Sequence, residues 1–302
     1  MNAESKEPVY IIIPVHNRKS TTLKCLETLN QHGDLQSYHV VVVDDGSTDG
    51  TAEAIHCLYP NITVLAGDGN LWWTGAIKKG MEYAYEQGAE YFVWLNDDCY
   101  PQKDAITKLL DLCKSDSKLI VGGQSLDPDT FEPSYGGIIT NFRKIIPITA
   151  PKNQLKECEG LNGNLVCFSR TIIEIIGYPN TKLFPHYHGD TTYTHTAKKK
   201  GCKLLICGDA ITFCKNDHFP VSWMVNEGYL LDYWKEYFTI KSAFYWKAEL
   251  NYYREMLGLF GILFYAYDRY IKFGLIFLLV STLPLNLRIK LKQIGRTITK
   301  VS

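Results

Sequence analysis

An excess of either charge is missing from this chain: Lys and Arg total 32, Asp and Glu total 32, among 302 residues. Proteins that hold nucleic acid over a broad surface are normally basic, so nucleic acid is not the expected partner. No C-x-x-C pair occurs among the nine cysteines, and their number is odd. Both facts argue against a disulfide framework or a zinc site and for buried thiols in a reducing compartment. No secretory leader is visible either, because residues 1–8 are polar and run straight into an apolar stretch. The body is therefore expected in the cytosol. The nucleophile elbow G-x-S-x-G and the Walker A loop are both absent, which removes the α/β-hydrolase and P-loop readings. Internal repeats and low-complexity tracts are missing too. What is plentiful is apolar side chain, at 46% against 21% charged, enough for a sizeable core and too much for disorder.

Residues 9–15 and 39–43 are short continuous apolar runs, as expected of strands buried on both faces of a parallel sheet. Two further strands are predicted at 62–65 and 91–95. Between them lie helical patterns: one with Leu23, Leu26 and Leu29 on a single face, one with Ala52 and Ile55 turned inward, and one over 75–87. Strand and helix alternating at this spacing predict βαβ units and an α/β, doubly wound sheet. Beyond residue 115 the pattern becomes mixed, with strands near 119–122 and 164–168 and a helix near 170–176. From residue 227 the composition turns to Tyr, Trp, Leu and Phe, which divides the chain into 1–226 and 227–302.

Ligands of such sheets bind just beyond the carboxyl ends of the strands. Here the first, second and fourth strands end in His16-Asn17-Arg18, Asp44-Asp45 and Asn96-Asp97-Asp98. Carboxylates clustered there supply the hard oxygens that a divalent cation needs beside a phosphate-bearing ligand. Acidic turns are common on their own; their coincidence at three strand ends carries the weight.

Four motifs stand in order: Pro14-Val15-His16-Asn17-Arg18, Asp44-Asp45-Gly46-Ser47-Thr48-Asp49, Gly69-Asn70-Leu71-Trp72-Trp73-Thr74-Gly75-Ala76 and Asn96-Asp97-Asp98. Together they resemble the family 2 glycosyltransferases, over roughly residues 8–220, and the third resembles a rhamnosyltransferase-like subset. The resemblance implies a GT-A fold: a Rossmann-like mixed sheet flanked by helices. It also implies a nucleoside diphosphate-sugar donor, UDP- or dTDP-linked, and a divalent cation, Mn²⁺ or Mg²⁺. Under it, Asp45 would face the nucleobase or ribose with Asp44 beside it, and Pro14, His16 and Asn17 would wall the nucleotide pocket. Asn70 would lie near the sugar, and Gly75 would let the next helix approach the pocket. Asp98 would ligate the cation, with Asp97 assisting through a water. Asn96 departs from the D-x-D pattern and removes one charge.

In the second half, an inverting transferase of this kind needs a base for the acceptor hydroxyl. The nearest match is His186-Tyr187-His188-Gly189-Asp190 ahead of a helix, which makes Asp190 the expected base and also a candidate N-cap. The resemblance puts Asn162 and Gly163, in Gly160-Leu161-Asn162-Gly163-Asn164, on the acceptor side; a plain turn is the alternative. Trp72 and Trp73 are either core or a platform for a sugar ring, and His188 is a polar group of the same pocket. His218 would complete the cation site.

The tail carries apolar runs at 257–267 and 273–285, each shorter than the ~20 residues that span a bilayer. Arg288, Lys290, Lys292, Arg296 and Lys300 follow with no acid among them, suiting anionic headgroups on the cytoplasmic side of a membrane. A helical membrane-associating appendage is expected, acting on a glycan or lipid-linked acceptor. The alternatives for the tail are a subdomain packed on the core or a homodimer interface. Two rival functions stand beside the transferase. A sugar-nucleotide nucleotidyltransferase would want a Gly-rich basic loop after the first strand, and a non-catalytic GT-A-like protein would keep the fold alone.

Overall fold

The computed structural model describes residues 6–141, 144–215, 235, 237–272, 274–275, 278 and 282–290. His218 and the expected boundary at 226/227 lie outside the described residues. The chain divides into two compact units, Met1–Asn216 and Asp217–Ser302.

Strand β1 (Val9–Val15) is buried along its whole length. It is followed by α1 (Lys19–His32), α2 (Asp34–Ser37), β2 (His39–Asp44), α3 (Thr51–Leu58), β3 (Thr63–Ala66), α4 (Trp72–Glu86) and β4 (Tyr91–Leu95). The strands β3, β2, β1 and β4 lie side by side in that order, and all their pairings are parallel. The chain order reverses direction between β1 and β4, the switch point at which such sheets open a crevice. Pro14 contributes to that opening. Pairing of β1 with β4 stops at Ile12↔Trp94, whereas pairing with β2 continues to Val15↔Asp44, and a proline has no N–H to donate to a ladder.

The second half continues with β5 (Tyr100–Pro101), α5 (Ala105–Ser115), β6 (Leu119–Leu126), β7 (Pro133–Tyr135), β8 (Gly137–Asn141), β9 (Lys144–Ile148), β10 (Leu155–Glu157), β11 (Gly160–Leu161), β12 (Leu165–Ser169), α6 (Arg170–Ile176), α7 (Gly189–Lys199) and β13 (Lys203–Phe213). Strand β12 inserts antiparallel between β4 and β6, and β13 lies parallel to β6. The sheet is therefore mixed. Strands β8, β9 and β11 form a small second sheet.

Alternation along β1 splits the core. Ile11, Ile13 and Val15 pack with Cys25, Leu26 and Leu29 of α1, while Ile12 packs on the other face with Ile77 and Met81 of α4. The fit of α4 depends on Gly80, where a Cβ would stand 2.4 Å from Ile12 Cγ2 and 3.1 Å from Val43 Cγ2. Gly75, by contrast, meets only Leu71 of the preceding turn.

One buried carboxyl gives a stability prediction. Asp34 is 7% exposed; burial first, then the charge of Asp104, pushes its carboxyl up to about 6. The folded state thus favours the protonated form. That contribution is complete below the ordinary value of 3.8 and is lost as pH rises through about 6. Asp34→Asn is expected to raise unfolding stability at pH 8 by roughly 3 kcal/mol and to leave it nearly unchanged near pH 4. Urea melts at the two pH values check this, and an equal effect at both would refute the assignment.

In the second unit, helices Trp246–Leu257 and Leu259–Ala266 lead into a π-helical turn, Tyr267–Lys272. Buried Glu249 pairs with Arg269. Leu259, Phe260 and Leu263 are 79%, 65% and 64% exposed, an unusual state for three large apolar side chains on one short helix. Among the described residues no helix is long and apolar enough to cross a membrane.

Candidate active site

The first two strand-end loops are laced together. Asn17 donates its backbone N–H to Ser47 Oγ at 2.8 Å, and its Oδ1 accepts the Thr48 N–H at 2.8 Å. His16 Nδ1 lies 2.6 Å from the Asp45 carbonyl oxygen, so it must carry the proton, and Asn17 Nδ2 then donates to His16 Nε2 at 3.0 Å. Asp44 Oδ1 accepts the Ser47 N–H at 2.9 Å, an Asx turn that shapes the loop.

Asp45 is 5% exposed, and both its carboxylate oxygens are engaged by backbone. Oδ1 accepts the Gly69 N–H at 2.8 Å and Oδ2 the Trp72 N–H at 2.9 Å. These bonds cap α4 from 27 residues away, and the Thr74 N–H is taken by the Pro185 carbonyl at 3.1 Å. The helix accordingly begins at Trp72, one turn before the Gly75 start read from the sequence. Asn70 is exposed, with its N–H on Asp68 Oδ1 at 2.9 Å.

At the end of β4, Asn96 is a junction. Its Oδ1 accepts the Trp73 indole N–H at 2.7 Å, and its Nδ2 donates to Asn164 Oδ1 at 3.0 Å. The amide thus accepts and donates at once, which accounts for its presence where the D-x-D pattern has an acid. Asp97 is 3% exposed, bonded by the Thr22 hydroxyl at 3.0 Å and paired with Arg18 at 3.3 Å. Burial pushes its carboxyl up to about 7, against the pull of Arg18. Asp98 is more open and pairs with the same guanidinium at 3.0 Å. Beside Asp98 Oδ1 lie Cys99 Sγ at 3.6 Å and Cys214 Sγ at 3.9 Å.

Asp190 is not the N-cap of α7. That position belongs to His188, at φ 68, and Asp190 is the second helical residue. Its Oδ2 accepts the Gly163 N–H at 2.7 Å and its Oδ1 the Thr191 N–H at 2.7 Å. Burial raises its carboxyl above the ordinary range, opposed by those two N–H groups and by His188. Gly163 in turn packs against Trp73, where a Cβ would stand 2.4 Å from Cζ2. Asn162 is half-buried, with its N–H on the Gly136 carbonyl at 3.1 Å. Trp73 also packs edge-on against buried Trp94, and Trp72 lies 5.7 Å from the His186 ring.

A continuous set of contacts therefore joins Asp45 through Trp72 and Trp73 to Asn96, and through Gly163 to Asp190. Arg18, Thr22 and Asn164 belong to it without having been singled out from the sequence. The signal for Arg18 was legible: a cation in one strand-end loop, with the Asp97-Asp98 pair at another strand end. A divalent cation fits this donor set, because the Arg18 guanidinium already stands as a positive group against Asp98, and two carboxylates share that one charge.

The glycosyl transferase family 2 profile matches residues 10–169. Glycosyltransferase AglE of Haloferax volcanii is 24% identical over 207 residues, covering 67% of this chain and 65% of that protein. The UDP-N-acetylglucosamine–dolichyl-phosphate N-acetylglucosaminyltransferase of Methanococcus voltae is 26% identical over 141 residues, covering 41% of this chain and 55% of that one. The chain thus spans less than two thirds of the length of these relatives. Among solved structures, the mannosyltransferase PcManGT of Pyrobaculum calidifontis, in complex with GDP-Man and Mn²⁺, superposes with TM-score 0.55 at 15% identity. That match covers 98% of this chain and 81% of the neighbour. GalNAc-T7 with UDP, GalNAc and Mn²⁺ gives TM-score 0.58 at 15% identity, over 70% of this chain and 44% of its own. Both share the mixed α/β architecture, so the fold is GT-A, and with more than half its length matched this chain belongs to glycosyl transferase family 2.

Proposed function

We propose that the protein is an inverting glycosyltransferase, moving a sugar from a nucleoside diphosphate-sugar to an acceptor hydroxyl by single displacement. The observation that carries this is the short path from Asp190 to the acidic strand end: Asp190 holds Gly163, Gly163 packs on Trp73, and Trp73 hydrogen-bonds Asn96. A base and a cation-binding carboxylate at one site are what a one-step displacement at an anomeric carbon requires.

In this reading Asp190 takes the acceptor proton as the oxygen attacks the anomeric carbon, and the carbon–oxygen bond to the diphosphate breaks with its electron pair leaving on the phosphate. Asp98 would hold a divalent cation, Mn²⁺ or Mg²⁺, which would offset charge on the departing diphosphate. Asp45 fixes the Gly69–Trp72 backbone that borders the donor, with Asp44, Pro14, His16, Asn17 and Asn70 around the nucleotide. Trp72, Trp73, Asn162 and His188 line the acceptor side. The Gly69–Ala76 motif favours a deoxysugar donor. A thermal-shift panel of UDP-, dTDP- and GDP-sugars, each with and without Mn²⁺, tests the reading. Stabilisation by one base only, and only with the cation, is expected; equal shifts for every nucleotide would sink it.

A lipid-linked or polymeric acceptor at a membrane surface is part of the proposal. Two relatives act, by name, on dolichyl-phosphate and poly(ribitol-phosphate). Further support comes from exposed Leu259, Phe260 and Leu263 together with a C-terminal stretch whose only acid after residue 257 is Asp268. The protein is expected to float with anionic vesicles and not with neutral ones, and the triple change of those residues to Ser should abolish flotation. Flotation unaffected by the triple change would remove this part.

A further inference from the structure

We propose that Arg18 is a latch on the cation position, holding Asp97 and Asp98 in the resting protein and giving up Asp98 when a divalent cation arrives. The proposal rests on the cation-site reading of Asp98. Arg18 precedes the first turn of α1, and its carbonyl oxygen accepts the Thr22 N–H at 2.9 Å. Thr22 in turn reaches Asp97. The backbone of the latch is therefore anchored to the carboxylate it guards, while its side chain is 45% exposed.

The two ion pairs are unequal. Asp97 is almost fully enclosed, whereas the Asp98 side chain is 28% exposed at the crevice between β1 and β4. Exchange is easier at the open carboxylate, where solvent replaces the lost bond. Among the described residues, Arg18 is the cation paired with Asp98. A divalent ion bound there and the guanidinium, which holds Asp98 Oδ2, would share one carboxylate. Their mutual repulsion a few ångströms apart, even at water-like screening, is worth about tenfold in affinity. The diphosphate of the donor brings negative charge that offsets this repulsion, so cation and nucleotide bind cooperatively and neither binds well alone.

The test measures Mn²⁺ binding to the full chain, by electron paramagnetic resonance of the free ion, without and with UDP. Arg18→Met is expected to bind Mn²⁺ alone about tenfold more tightly than the parent, and to show less cooperativity with UDP. Arg18→Lys keeps the charge but spans one carboxylate, so it should fall between them. Melting curves confirm that each variant folds, and Asp98→Asn marks the site. Unchanged Mn²⁺ affinity in both Arg18 variants, with binding lost in Asp98→Asn, overturns the latch and leaves the cation site standing. Binding that survives Asp98→Asn overturns both.

Discussion

Asp190→Asn is expected to lower the rate of sugar transfer by about a thousandfold while leaving the affinity for donor nearly intact, since a positioned general base contributes roughly 10²–10⁴. The amide fills the same space but cannot take the acceptor proton. It can also accept only one of the two N–H groups, from Gly163 and Thr191, that the carboxylate now serves. A fall in melting temperature should accompany the loss of rate, because one donor is left unpaired at a cost of about 1–3 kcal/mol. Single-turnover transfer, with donor affinity measured separately, divides the two effects. The parent adds a pH signature. Burial holds the Asp190 carboxyl above the ordinary range, and the ionised form is the base. Activity should therefore rise with pH along an acid limb that sits higher than that of a free carboxylate, and the limb should vanish in the variant. Transfer persisting at the parental rate would mean that another group removes the proton.

The second large effect concerns the cation. Chelation is expected to reduce turnover by at least about a thousandfold, with recovery on adding Mn²⁺ or Mg²⁺, because charge stabilisation on a leaving diphosphate is worth several kcal/mol. Asp98→Asn should resemble chelation and resist rescue except at high metal concentration. Asp97→Asn should act differently. Its carboxyl is enclosed by Thr22 and Arg18, so the change should disturb the fold of the crevice before it disturbs cation affinity. Full activity in a chelator would remove the cation from the scheme.

How much of this was legible in the sequence depends on how local each cause is. Strands β1, β2 and β4 announce themselves because their apolar runs are bounded by polar loops, and β4 falls on the residues expected, 91–95. The fold class and the order of the strand-end motifs followed from that alternation and from the family resemblance. The start of α4 was missed by one turn because its caps come from Asp45 and from the Pro185 carbonyl, groups remote in sequence. The same holds for Asp190: a residue before a helical pattern reads as an N-cap, but the cap is His188 in a left-handed conformation that no local pattern signals. The insertion of β12 antiparallel between β4 and β6 is likewise a tertiary choice, since a short apolar strand does not reveal its direction. Asn96 looked like a lost charge and proved to be a junction between Trp73 and Asn164, a role visible only once those partners are adjacent.

Asn17 in the first strand-end loop, Trp72 at the start of α4 and His188 at the N-cap of α7 each hold a positive φ, 51°, 56° and 68°, without being glycine. For a bulky side chain such as Trp72 the left-handed region is unfavourable by about 1–3 kcal/mol, and less for Asn17 and His188, types that tolerate it better. A library screened for heat resistance alone would thus be drawn to glycine at these places, and to Trp72 above all. Winners of such a screen should melt later and turn over more slowly, so selection for endurance and selection for output would pull this protein in opposite directions at the same three codons.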